Sequence, residues 1–290
     1  MLGEASKSTE PPPGAARISA MIQEIAHLGL LDDDDIVLDA AALELSALDH
    51  PGADLAPYAE LLGDMAELLG ERGLDARTAR ERADALSEVI AGEFRFHGDR
   101  ARYDDPANAD LIQVIDRRLG LPVSLSILYV AAARRAGWEA DALNTPGHVL
   151  VRIGPDTSPS LIDPFAGGSL VDPGQLARLL ASALGRGTVP TSDHLAPMSN
   201  RSVLVRLLMN QATRAEAAGD KGRALQLFRR MTTIAPSSGH NWWERARLEL
   251  VEGEVSKARA SLSAMLEMTR DPNIRIHISA ALDALAGSGG

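Results

Sequence analysis

The segment that most constrains the fold is LPVSLSILYVAAARRAG, residues 121–137. Pro122 stands where a helix would begin, in the first turn, at which a missing N–H costs no hydrogen bond. Apolar side chains then occupy two helical faces, the first formed by Leu125, Leu128, Tyr129 and Ala132 and the second by Val123, Ile127 and Val130. A helix that is apolar nearly all round is stable only when other elements surround it. The sequence therefore predicts a buried central helix here.

Short strands are predicted directly after this helix. Apolar residues alternate in HVLVRI, which places Val149, Val151 and Ile153 on one face. The preceding WEADAL and the following SLIDPF have a similar character, and the polar GPDTSP joins the last two as a hairpin loop. The chain thus predicts a small antiparallel sheet beside the central helix.

The rest of the chain is predicted to be helical. Aromatic residues make up only 3% of the chain, so Leu, Ala, Ile and Val must form most of the core. Residues 18–97 show helical spacing of apolar positions, and Asp75 is the predicted N-cap of the third helix there. We therefore predict a helix-dominated α+β fold: an N-terminal helical bundle, a core with a small sheet, and a helical C-terminal segment.

The C-terminal segment contains an internal repeat. GDKGRAL begins at Gly219 and GEVSKAR at Gly253, an offset of 34 residues that is typical of tetratricopeptide repeats. Ala224, Phe228 and Pro236 match signature positions of the first repeat, as do Trp242 and Ala258 of the second. The alternative is a plain pair of helical hairpins packed on the core. The predicted organisation is a disordered tail over 1–17, bundle and core over 18–184, a linker over 185–199, and repeats over 200–287.

Charge is distributed unevenly along the chain, whose net charge is −11. Acids but no Lys or Arg occur in residues 31–70, whereas basic residues dominate after Arg201. The net charge argues against extensive nucleic-acid binding. Binding of nucleic acid through the basic C-terminal helices alone is a weaker hypothesis. The two regions are interpreted either as solvated faces that attract each other or as an acidic docking face for a basic partner.

The composition also limits location and cofactors. Without Cys the chain can form no disulfide, thiolate metal site or thiol nucleophile. The seven His residues are scattered and no phosphate-binding motif occurs, so we expect no metal and no cofactor. Neither a signal peptide nor a membrane-length apolar run is present. The expected location is the cytoplasm, without membrane contact, and the oligomeric state stays open.

His148 and Asp163 are the candidate catalytic residues. They lie on strands joined by one hairpin, so they can face each other as the base and the group that orients it. Such a pair needs a nucleophile, for which the start of a buried helix is the best place. Ser124 lies there, either as a nucleophile or as a residue that caps a backbone amide.

The motifs YDDPAN, RRLGLPVSLSILY, NTPGHVLVRI and IDPFAGG together resemble those of bacterial SirB-type proteins, a branch of the transglutaminase-like superfamily. The resemblance covers residues 38–172 and implies a papain-like core with a Cys–His–Asp triad. His148 matches the His and Asp163 the Asp, while Pro122 occupies the position of the Cys. Members of this branch often carry C-terminal tetratricopeptide-like helices.

Two functions follow as hypotheses. Because proline cannot act as a nucleophile, the sequence favours a non-enzymatic protein that binds a protein partner through the C-terminal repeats or the acidic N-terminal face. The alternative is an amidase, peptidase or acyltransferase in which His148 and Asp163 activate Ser124 or water. Neither the partner nor the substrate can be identified from the sequence.

Overall fold

The computed structural model describes residues 23–155, 157–185 and 191–287. The predicted tail over 1–17 lies outside the described residues. The same holds for residues 18–22 of the predicted bundle and residues 186–190 of the predicted linker.

The described N-terminal residues include three helices that pack before the central helix, and the third starts later than the sequence suggested. They are α1 (Leu38–Ala47), α2 (Ala56–Arg72) and α3 (Ala79–Ser87), the last continuing into a π-helical turn, Glu88–Glu93. Asp75 was expected to cap α3, and this is wrong. The Thr78 hydroxyl instead accepts from the Glu81 amide, and the Glu81 carboxylate accepts from the Thr78 amide. This reciprocal capping box satisfies two amides, which a single aspartate three residues earlier could not do.

The predicted central helix is present and buried. A short parallel pair, β1 (His97–Gly98) and β2 (Leu119–Gly120), flanks α4 (Leu111–Arg117), and α5 (Pro122–Arg135) follows at once. Every residue of α5 from Pro122 to Ala133 is buried. The helix therefore begins at the predicted proline, and other elements cover all of its faces.

The predicted sheet is antiparallel and has four strands. They are β3 (Ala140–Leu143), β4 (Leu150–Ile153), β5 (Ser160–Asp163) and β6 (Ser169–Leu170), in that order across the sheet. Val151 pairs with Ile162 between the two central strands. This register brings the beginning of β4 next to the end of β5, where His148 and Asp163 lie.

Six further helices complete the described chain. They are α6 (Pro173–Leu184), α7 (Asn200–Ala217), α8 (Lys221–Ile234), α9 (Gly239–Val251), α10 (Val255–Met268) and α11 (Pro272–Gly287). The helix-dominated α+β fold with a small antiparallel sheet and a helical C-terminal segment is thus confirmed. No helix within the described ranges is long and apolar enough to cross a bilayer.

One apolar core extends from the N-terminal helices into the C-terminal ones. Leu45 of α1, Leu125 of α5 and Val151 of β4 belong to the same buried cluster as Leu207 of α7 and Phe228 of α8. A second, smaller cluster joins α9, α10 and α11. Helices α7 and α8 are consequently packed as part of the central unit.

Acids of the N-terminal region bind the C-terminal helices directly. Arg223 and Arg230 of α8 each donate to both carboxylate oxygens of Asp49, at 2.6–2.7 Å. Asp33 accepts from the backbone amides of Asn200 and Arg201, at 2.8 and 2.9 Å. These two acids therefore hold the two halves of the chain together.

Gly98 lies where the parallel pair meets the segment after β5. A Cβ atom on Gly98 would lie 2.4 Å from the ring of Phe165 and 2.5 Å from its carbonyl oxygen. We expect Gly98→Ala to lower the free energy of unfolding by about 1–3 kcal/mol because the backbone at Phe165 must move. Urea unfolding followed by circular dichroism measures this change.

Gly63 supplies the matched control for that prediction. It lies within α2, and a Cβ there would meet no atom within 4 Å. Gly63→Ala should raise the free energy of unfolding by about 0.5–1 kcal/mol, because glycine is a poor helix former. Equal unfolding midpoints for the two variants would contradict the proposed close packing at Gly98.

Candidate functional site

The structure brings His148 and Asp163 together. Nε2 of His148 lies 2.8 Å from Oδ1 of Asp163, and both side chains are about 15% exposed. The same oxygen accepts from the backbone amides of Phe165 and Ala166, at 3.0 and 3.3 Å, where Asp163 caps a short 3₁₀ turn. The carboxylate is thus fixed by backbone donors, and it in turn fixes the imidazole ring.

The orientation of this pair leaves one nitrogen of His148 for other chemistry. Because an ionised carboxylate only accepts hydrogen bonds, Nε2 carries the proton in the neutral ring and Nδ1 carries the lone pair. Among the described residues, Nδ1 makes no hydrogen bond. Asp163 therefore sets the tautomer of the neutral His148 ring and leaves the lone pair on Nδ1.

Pro122 and His148 line the same cavity. It has a volume of about 140 Å³ and is also bounded by Tyr103, Gly147 and Arg206. The first turn of α5 therefore faces the histidine, as a nucleophile at position 122 would require. Proline contributes neither an ionisable nor a nucleophilic group to this cavity.

Ser124 is held by backbone groups within the protein. Its side chain is fully buried, and Oγ accepts from the Leu121 amide at 2.9 Å and donates to the Asn108 carbonyl at 2.7 Å. Within the described chain it makes no hydrogen bond to His148. These contacts are the capping role that the sequence offered as the alternative to catalysis.

Arg206 positions the loop that carries His148, a role that sequence reasoning missed. From α7, its guanidinium donates to the carbonyls of Thr145 and His148, at 3.0 and 2.7 Å, and to Oδ1 of Asn144 at 3.0 Å. Burial lowers the pKa of Arg206 below its ordinary value. The sequence showed only that basic residues accumulate in this region, and nothing in it indicated which of them reaches the core.

Tyr129 is a second residue that sequence reasoning did not assign to the site. Its hydroxyl is buried and has no hydrogen-bond partner within the described chain. Burial, together with the negative charge of Asp163, raises the pKa of Tyr129 above its ordinary value. Gly168, in the left-handed region at φ 78°, approaches this hydroxyl so closely that a Cβ would lie 2.7 Å away. The tyrosine therefore stays protonated behind the His–Asp pair.

A second histidine–carboxylate pair lies outside this cavity. Nε2 of His50 is 2.7 Å from Oδ2 of Asp110, whose other oxygen accepts from the Gln113 amide at the start of α4. Neither residue lines the cavity of His148. In the part of the chain that the structure describes, no group of three or more His, Asp or Glu side chains is arranged to hold a metal ion.

Comparisons with known proteins match most of this chain in sequence. A family model described as Transglutaminase-like superfamily matches residues 56–209. A UPF0162 protein of Xylella fastidiosa (strain 9a5c) is 30% identical over 245 residues, covering 83% of this chain and 87% of the relative. A UPF0162 protein of Pseudomonas aeruginosa is 28% identical, with 90% and 95% covered. F-box only protein 21 of Mus musculus is 38% identical over 69 residues, 24% of this chain and 11% of that protein.

Proposed function

The chain belongs to the transglutaminase-like superfamily, and on that premise we propose that it is a non-enzymatic protein-interaction module of the cytoplasm. The observation that carries the proposal is Pro122, which lines the cavity beside His148. A residue without a nucleophilic atom there leaves acyl transfer without its first step. A reducing compartment suits a chain that has no Cys.

The hydrogen bonds of Ser124 support the same proposal. A serine nucleophile must give its proton to a base in the transition state, whereas the Ser124 hydroxyl donates to the Asn108 carbonyl. Its lone pair accepts from the Leu121 amide at the start of α5. In this module, the hydrogen bond between His148 and Asp163 would hold in place the loop and the strand that line the cavity.

The C-terminal helices would present the binding surface. Helix α8 begins at Lys221 and α10 at Val255, so the helix starts reproduce the sequence offset of 34 residues. Gly219 and Gly253, two residues before those starts, have φ values of 80° and 75°. These correspondences support a tetratricopeptide-like arrangement over 200–287, a repeat class whose concave faces commonly bind peptides. The exposed N-terminal acids are the other candidate face.

Affinity capture with the full chain tests this proposal. The wild type should retain a defined protein partner from a cytosolic extract, and His148→Ala should retain it to the same extent. Substitutions at Val205 of α7 and His240 of α9, which line the groove between these helices, should reduce retention about tenfold. Loss of the partner with His148→Ala but not with the groove variants would contradict a role for the C-terminal helices.

A hydrolase that uses water is the second candidate function. The favourable observation is that Nδ1 of His148 has no hydrogen-bond partner among the described residues, since a base oriented by a carboxylate could activate a water molecule in the cavity. A catalytic Ser124 would instead be labelled by a fluorophosphonate probe, and Ser124→Ala would abolish the label. We expect no such labelling. Amide hydrolysis that disappears with His148→Ala would favour the enzyme over the interaction module.

A further inference from the structure

A cavity lies where the core, the segment before α7 and the start of α9 meet. Its volume is about 640 Å³, within the range of about 300–1,000 Å³ typical of ligand sites. Asn144 bounds it from the core side, Arg201 and Arg206 from α7, and His240 and Asn241 from α9. Arg206 also lines the cavity of His148, so the two cavities are neighbours.

Two guanidinium groups of this cavity have no carboxylate partner among the described residues. Arg201 donates to the carbonyls of Leu28, Leu31 and Ile234. Arg206 likewise donates to carbonyl and amide oxygens. Within the described ranges no carboxylate forms an ion pair with either, and no acid lines the cavity. In a chain of net charge −11, such a cavity selects for an anion.

Asn241 supplies an independent indication of a ligand. Its side chain is 1% exposed, it lines the cavity, and Nδ2 has no hydrogen-bond partner within the described chain. An unpaired buried amide costs about 1–3 kcal/mol unless something accepts from it. Asn241 belongs to the first turn of α9, a 13-residue helix whose positive dipole end favours a negative charge.

The remaining wall of the cavity is apolar. Met198, Val205 and Met209 line it beside the polar groups. Methionine side chains adapt to different apolar partners. The ligand should therefore carry its anionic group on a chain with apolar side chains, as a peptide does.

We propose that this cavity binds a carboxylate of an extended peptide segment of a partner protein. Arg201 and Arg206 offset its charge, the Asn241 amide donates to it, and Met198, Val205 and Met209 contact the neighbouring side chains. The inference rests on the proposed interaction function, for which it names the site and the chemistry of the ligand.

Nuclear magnetic resonance on the isotope-labelled full chain tests this site. The probe is a pool of N-acetylated tetrapeptides of randomised sequence that contain no Asp or Glu and have a free C-terminal carboxylate, so that this carboxylate is the only negative charge. We expect it to shift the Asn241 side-chain amide and the Gly239 and His240 backbone amides. The same pool with a C-terminal amide should bind at least tenfold more weakly, because the charge is lost.

Two variants separate the charge from the amide donor. Asn241→Leu keeps the branched shape of the side chain and removes an amide that makes no side-chain hydrogen bond to the described residues, so the fold should stay intact while affinity falls about tenfold. Arg206→Met should reduce affinity at least as much. Arg80→Met is the control, because Arg80 is exposed on α3 and does not line the cavity; it should bind like the wild type.

Three results would overturn the inference. One is equal binding of the carboxylate and amide pools, and a second is the absence of any shift at Asn241 with millimolar peptide on the folded protein. The third is that sulfate alone saturates the site and the peptides bind it no more tightly than sulfate does. If the peptides do not bind but Asn241→Leu still retains the protein partner in the affinity capture, the proposed interaction function holds and only this site is wrong.

Discussion

Pro122→Cys should create a thiol that reacts with iodoacetamide at pH 6 about tenfold or more faster than a free cysteine. The new side chain would stand in the first turn of α5 and face the cavity of His148. A helix N-terminus and a neighbouring imidazolium both stabilise a thiolate and lower the thiol pKa from its ordinary value of about 8.5. Because the natural chain has no Cys, the modification is confined to this position.

Two further variants serve as controls for the thiol experiment. Pro122→Cys combined with His148→Ala should react about tenfold more slowly, since the imidazolium that stabilises the thiolate is gone. Ser124→Cys places a thiol two residues further along the same helix, at a fully buried position, and should stay unreactive in the folded protein. Alkylation is followed by mass spectrometry. A rate that equals that of free cysteine and ignores His148 would contradict the proposed alignment.

Asp49→Asn should lower the free energy of unfolding by about 3 kcal/mol. The carboxylate binds Arg223 and Arg230 through four hydrogen bonds, and Arg230 is almost fully buried, at 3% exposure. Removing one partner of a buried ion pair leaves the other charge uncompensated. Urea unfolding at pH 7 measures the change. Asp64→Asn, at an exposed position of α2, is the control and should change stability by less than about 0.5 kcal/mol.

The same contact predicts how stability depends on pH. Burial raises the pKa of Asp49, but the hydrogen bonds and charges of Arg230 and Arg223 outweigh it and lower the pKa from 3.8 to about 2. A lowered native pKa stabilises the fold above the unfolded value, and this contribution is lost as the pH falls from about 4 to 2. It amounts to about 2 kcal/mol. Asp49→Asn should remove this part of the acid dependence, and an unchanged acid profile would contradict the assignment.

Hydrogen bonds and ion pairs join the C-terminal helices to the part of the core that carries His148. Arg206 of α7 holds the loop of His148, and α8 binds Asp49 beyond the end of α1. A partner bound to these helices would therefore act on groups that also contact the core. Binding of a partner would change the geometry around His148 if the partner bound more tightly to one arrangement of these shared side chains than to another.

Local patterns were sufficient to predict much of this fold. The segment after Gly120 has apolar residues on two helical faces, which predicted a buried helix with Pro122 in its first turn. The alternation of apolar and polar residues around Val151 predicted the sheet. Both predictions rest on side-chain periodicity, which is a property of neighbouring residues. The cap of α3 was missed because Thr78 and Glu81 satisfy two amides together, a pairing that outweighs the preference of Asp75.

The sequence by itself determined the pairing of His148 with Asp163 and the absence of a nucleophile at position 122. A hairpin brings its two strands together whatever the rest of the chain does, and proline has no nucleophilic atom in any fold. Only the tertiary structure decided that Ser124 is bound by backbone groups, that Arg206 supports His148, and that Arg201 and Arg206 meet in one cavity without a carboxylate. Those contacts join residues that are distant in sequence, and their energies depend on burial, which no local pattern specifies.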